Sequence, residues 1–211
     1  IEIRMKKFQT FVREELAKRV FGILKSLEGI LSSESRLLFI QELTSHPTYS
    51  GLINGTLGAH FGFIKSGKFE RISSLVQAIG GTTRVKFEVN KGIGDIIAIL
   101  YMEIAINYEE ITGFHQSIVL NRKDDVLQEL PWLKWLLLNG VGPIVLRYHI
   151  NEGDYPGNQS RSRKAIMVEG GTWGVPTEYS GTEDNNWVTQ AMDSTIDKLA
   201  ERAFSLLRQA L

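Results

Sequence analysis

The feature that most restricts the fold of this chain is a change in hydrophobic period just past residue 80. From Phe8 to Leu31 the apolar residues Phe8, Phe11, Val12, Leu16, Val20, Ile23, Leu24, Leu27 and Leu31 recur at steps of three and four. That spacing lines one face of an α-helix. Between Thr83 and Val89 the step falls to two, with Val85, Phe87 and Val89 alternating against Arg84, Lys86 and Glu88, as a half-buried strand requires. Helical spacing returns from Asn185 to Leu211, where Val188, Met192, Ile196, Leu199, Ala203, Phe204 and Leu207 mark a second long stripe. Strands enclosed between helices predict the α+β class: an antiparallel sheet with long N- and C-terminal helices packed against it.

Finer punctuation divides the chain further. Ser33 is placed to cap a second helix through Leu43, and Pro47 to open a third that reaches about His60 before Gly62 stops it. A fourth helix, from about Phe69 to Ile79, should end at Gly80-Gly81, where glycine tolerates positive φ. The dense apolar stretch from Asp95 to Asn107 should pair with the Thr83 strand across Asn90 to Gly94, and a short strand is expected near Gln116 to Leu120. A helix starting around Asp124 should run through Trp132 and Trp135 to Asn139-Gly140. Ile144 to Ile150 and Arg163 to Glu169 read as a long projecting hairpin around a polar tip, Asn151 to Ser162. With no repeat and no low-complexity linker, residues 1–211 form one domain: 1–80 mostly helical, 81–170 mostly strands, 185–211 the closing helix.

Chemistry is sparse. The chain has no cysteine, which excludes thiolate catalysis, disulfides and Cys-based metal centres and fits folding in a reducing cytoplasm. His46, His60, His115 and His149 stand at no metal-ligand spacing. No Gly-x-Ser-x-Gly elbow nominates a nucleophile, and the Gly-rich stretch Asn54 to Gly62 lacks the Lys-Ser/Thr ending of a phosphate loop. Gly55 and Gly58 are read instead as points of close approach between elements, and Gly92-Ile93-Gly94 as a strand-linking turn. The pairs Glu109-Glu110, Asp124-Asp125 and Glu183-Asp184 read as solvated charge. No catalytic residue, cofactor or metal is therefore expected, and the chain is not expected to be an enzyme.

Lys plus Arg and Asp plus Glu number 24 each, so the protein as a whole has no electrostatic reason to coat nucleic acid or an anionic membrane. The densest apolar run, Leu130 to Leu138, carries Lys134 and is too short to span a bilayer, and the charged stretch at the start does not read as an export signal. Two features stand out as contact surfaces. Arg161, Arg163 and Lys164 gather at the hairpin tip among serines, and Trp173 and Trp187 lie near its base. Basic arms dock on acidic partners, and large aromatics are enriched at interfaces.

Several segments resemble a family of bacteriophage virion proteins, the tail-completion or head–tail joining proteins of the neck. They are Ser45 to Gly62, a proline-started helix closing on small residues and Phe-Gly; Leu130 to Gly140 with the strand behind it; Ser160 to Met167; and Trp173 to Thr182 with Asn186-Trp187-Val188. The resemblance implies a small α+β subunit that assembles with copies of itself into a ring. It implies neighbouring connector and tail proteins as partners, with DNA passing through the lumen without sequence-specific contact, no membrane, and a place in the virion after assembly in the host cytoplasm. The long N-terminal helical region departs from the smaller members of that family. A tail terminator ring shares these expectations. A small-ligand-binding or hydrolase domain using the apolar face behind Trp132 and Trp135 is the alternative from another class.

Overall fold

The computed structural model describes residues 2–63, 67–91, 96–104, 117–121, 126–156 and 160–210. The α+β class read from the sequence holds. The elements are α1 (Glu2–Ser45), α2 (Pro47–Ile53), α3 (Leu57–His60), α4 (Lys68–Gly81), β1 (Thr83–Lys91), β2 (Ile96–Ile104), β3 (Ser117–Asn121), β4 (Val126–Leu130), α5 (Trp132–Leu138), β5 (Val145–Glu152), β6 (Ala165–Trp173) and α6 (Trp187–Ala210). The β structure is divided among three antiparallel two-stranded ladders, β1-β2, β3-β4 and β5-β6.

α1 is one uninterrupted helix of 44 residues, where two helices separated by a cap at Ser33 were expected. The serines explain the difference. Ser33 Oγ donates back to the Gly29 carbonyl at 3.1 Å and Ser35 Oγ to the Ser32 carbonyl at 2.9 Å, so their hydroxyls bond within the helix and do not end it. Leu27, Leu31, Ser35, Phe39 and Leu43 are all buried, so Ser35 occupies one step of a continuous four-residue stripe. α6 packs antiparallel on this helix. Lys198 pairs with Glu42, Ser194 Oγ donates to Glu42 at 2.7 Å, and Arg202 forks onto Glu34 at 3.1 Å.

The other flank of α1 covers the edge of β1. Glu28, Ser32 and Arg36, four residues apart, meet Phe87, Val85 and Thr83, two residues apart. Phe87 N–H donates to Glu28 at 3.0 Å, Val85 N–H to Ser32 Oγ at 3.1 Å, and Arg36 Nε–H donates to the Thr83 carbonyl at 3.2 Å. Four helical residues rise about 6 Å and two strand residues about 6.6 Å, so the two rows stay in step for three bonds. An edge that would otherwise be open to pairing is closed by side chains.

Glycines set the close contacts. A Cβ on Gly80 would stand 2.3 Å from Ile40 Cγ1, so Gly80 lets α4 lie against α1. Helix α4 runs through Gly81, and positive φ occurs not at Gly80-Gly81 but ahead of the helix, at Gly62 and Gly67. A Cβ on Gly58 would meet the Leu52 carbonyl oxygen at 2.3 Å, which supports the close-approach reading, although Gly55 lies in the turn between α2 and α3 and not in a helix interior.

Two other expectations change. Val126–Leu130 is strand, paired with β3, and α5 begins only at Trp132, because the residue before Pro131 is driven out of helical geometry. Asp124, the expected start, lies outside the described residues, as do Gln116, the Gly92 to Gly94 turn, Glu109-Glu110 and His115. Leu16 and Phe204, placed on buried stripes by periodicity, are 51% and 66% exposed. Phe204 follows the buried Ala203 and is turned a further 100° around the helix, whereas Leu16 lies where α1 has outrun α6.

Candidate protein interface

The β5–β6 hairpin is irregular at its middle. Pairing runs Val145 with Trp173 and Leu146 with Thr172, then shifts so that Tyr148 faces Glu169 and Glu152 faces Ala165. Arg147, Gly170 and Gly171 take positive φ at the shift, and the His149 ring, through Nδ1–H, donates to the Gly170 carbonyl at 2.7 Å. Such a bulge bends a ladder and increases its twist. The far end of the hairpin lies against the helical region: the His60 Nε2 of α3 meets the Glu152 carboxylate at 2.6 Å, and Arg161 faces the like charge of Arg71 of α4.

The tip is wound by its serines. Arg163 N–H donates to Ser160 Oγ at 3.1 Å, and Lys164 and Ala165 N–H donate to Ser162 Oγ at 3.3 and 3.2 Å. Ser162 is buried beneath them. Arg161, Arg163 and Lys164 are all exposed, but their environments differ. Lys164 pairs with Asp154, and burial, with Arg71 alongside, holds the Arg161 guanidinium below its ordinary range. Arg163, in left-handed backbone, forms no ion pair with any described residue. The structure therefore brings the three basic residues together on one turn and points them at different neighbours.

Trp173 and Trp187, expected as contact residues, are core residues at 7% and 2% exposure. The reason for Trp187 is specific. The Leu43 carbonyl sits near the end of α1, and the donor a further helical turn would offer is Pro47, which has no N–H. The Trp187 indole N–H fills that place at 2.9 Å. Trp173 packs edge-on to Phe61 and Trp135, with ring centroids 6.0 and 6.2 Å away. The space beside Trp132 is filled by Phe61 and Phe63 at 5.6 and 4.9 Å, so the ligand face proposed for Trp132 is an aromatic core.

What periodicity missed is an exposed apolar surface. Leu146, Tyr148 and Met167 on the hairpin are 65%, 45% and 51% exposed, and Val141 just before it is 66% exposed. The β5–β6 hairpin was legible from the polar tip between its strands, but a strand pair exposed on both faces gives no sign of which face a partner covers. The described histidines have structural bonds: His46 Nδ1 accepts the Thr48 N–H at the start of α2 while Nε2–H reaches Gln190, and His60 and His149 are held as above. Among the described residues no group of three His, Asp or Glu is placed to hold a metal, and no helix is long and apolar enough to cross a membrane. Comparison with protein-family models, curated proteins and solved structures finds no match to this chain.

Proposed function

We infer that this chain is a structural subunit of a bacteriophage particle, forming a ring with its own copies at the neck or tail end and joining head to tail. One observation carries the reading. Eleven large apolar side chains of the described residues are exposed: Leu16, Phe21, Ile30 and Leu37 on α1, Phe204 on α6, Leu146, Tyr148 and Met167 on the β5–β6 hairpin with Val141 just before it, and Phe69 and Tyr101 elsewhere. Exposed apolar surface beyond scattered single side chains marks a place for another protein. The division into two-stranded ladders supports the same reading, because such ladders gain stability by packing or pairing further. Near-neutral total charge suits a subunit whose main partners are proteins. The sequence resemblance to neck proteins gives the reading its specific form, and a tail terminator ring fits the same surfaces.

The experiment is complementation of particles that lack this chain. Wild-type protein should restore head–tail joining, and R161E/R163E/K164E should fold normally, because all three side chains are exposed, yet join particles poorly. Full joining by the triple variant would remove the hairpin tip from the interface, and no joining by the wild type would overturn the reading.

A further inference from the structure

The charge of this neutral chain is separated along its length, and the fold prevents the two parts from meeting within one molecule. Residues 2–20, in α1, carry six basic against three acidic side chains, net +3. Residues 165–197 carry six carboxylates and no Lys or Arg, net −6. All six are exposed, and none forms an ion pair with a described residue.

The antiparallel packing separates the basic start of α1 from Glu178, Glu183 and Asp184. Trp187 meets Leu43, and farther along Arg202 meets Glu34, so α6 is exhausted near Leu27 of α1. The first twenty or so residues of α1 continue past it. None of residues 14–23 is buried, and Leu16 and Phe21 are 51% and 38% exposed there. Glu178, Glu183 and Asp184 flank the start of α6, beside the other end of α1. At 1.5 Å per residue, Arg19 is about 36 Å from Leu43 along the helix and Arg4 about 58 Å. A continuous helix cannot fold back over that distance.

We propose that this extended stretch of α1 docks on the acidic surface around Glu178, Glu183 and Asp184 of a second copy, giving a head-to-tail contact. Each copy then offers one arm and one acceptor, the heterologous arrangement that closes into a ring when the rotation between copies permits. The apolar side chains of Leu16 and Phe21 gain cover, and the basic charge sets the direction of docking. The pairing supplies the contact for the ring inferred above and rests on that reading only for closure.

The test is a charge swap followed by light scattering across protein concentration and salt. The arm variant is R4E/K6E/K7E/R19E and the acceptor variant E178K/E183K/D184K, each checked for folding by circular dichroism. Parent protein should self-associate and dissociate as salt rises. Each variant alone should need at least about tenfold more protein to associate. Their equimolar mixture has two matched contacts, native arm on native acceptor and reversed arm on reversed acceptor, and should recover assembly in alternation, as should the chain carrying both swaps. Either variant assembling like the parent, a mixture that stays single-chain, or a parent monomeric at low salt overturns the pairing, as does an arm variant that loses only retention of duplex DNA. Particle joining is scored separately, so this contact can fail while the neck reading stands.

Discussion

Replacing Trp187 by Phe isolates one bond that holds the two long helices in register. The indole N–H donates to the Leu43 carbonyl at 2.9 Å in a site where Leu43 is fully buried and Trp187 is 2% exposed. Removing the donor leaves a buried acceptor unsatisfied, at about 1–3 kcal/mol, and the smaller ring leaves a gap worth roughly 1 kcal/mol. W187F should therefore lose roughly 2–4 kcal/mol in urea unfolding, and a 3 kcal/mol loss lowers Tm by roughly 6–12 °C in a chain of this size. Trp173 provides the control, because its buried indole N–H has no hydrogen-bond partner among the described residues. W173F then loses only the gap contribution, about 1 kcal/mol. Equal losses for the two variants, or a W187F protein within about 0.5 kcal/mol of wild type, would refute the assignment of that bond.

Three further outcomes follow from named contacts. Gly58→Ala places a Cβ against the Leu52 carbonyl oxygen, an atom of the backbone, and should cost about 1–3 kcal/mol in the same urea assay, whereas Gly29→Ala, with nothing near its Cβ, should be neutral or stabilising. Lys25 together with the Phe87 N–H holds the Glu28 carboxyl below its ordinary value of 4.5, and Lys198 together with Ser194 does so for Glu42. Depressed folded values mean that this stability is present above the ordinary carboxylate range and is lost as pH falls through the folded values. The urea midpoint should fall as pH drops below about 4.5, and E28Q/E42Q should show a lower midpoint at neutral pH but a shallower decline. An equally steep decline in the double variant would move the acid sensitivity to other groups. At the hairpin tip, Asp154→Asn should leave stability within about 0.5 kcal/mol, since its pair with Lys164 is exposed.

Long elements were legible in the sequence because each repeats one period many times. The first strand and the closing helix follow directly from such repeats, and the β5–β6 hairpin from the polar, Gly- and Pro-bearing tip between its strands. What periodicity could not decide was whether a polar residue interrupts a stripe or occupies a step of it. Ser33 and Ser35 have the residue type of a cap, yet their hydroxyls bond to carbonyls three and four residues back and the helix continues. The tryptophans show a second limit. A large aromatic with a polar edge is suited to an interface and to a core alike, and only the placement of Pro47 against Leu43 decides that Trp187 is internal. The basic tip was visible as a cluster, but the His60–Glu152 contact that joins the hairpin to α3 and the bulge at Arg147 carry no local signal, apart from Gly170-Gly171 opposite the bulge. The covering of the β1 edge by Glu28, Ser32 and Arg36 required the register of two elements whose contacts lie 47 to 59 residues apart in sequence.

The proposed assembly of this chain can be read from its mass in solution, measured by light scattering alone and then with particles that lack it. A closed multi-chain species of fixed size is expected, or a smaller species that restores head–tail joining when added to those particles. A chain that stays monomeric and joins nothing would contradict it.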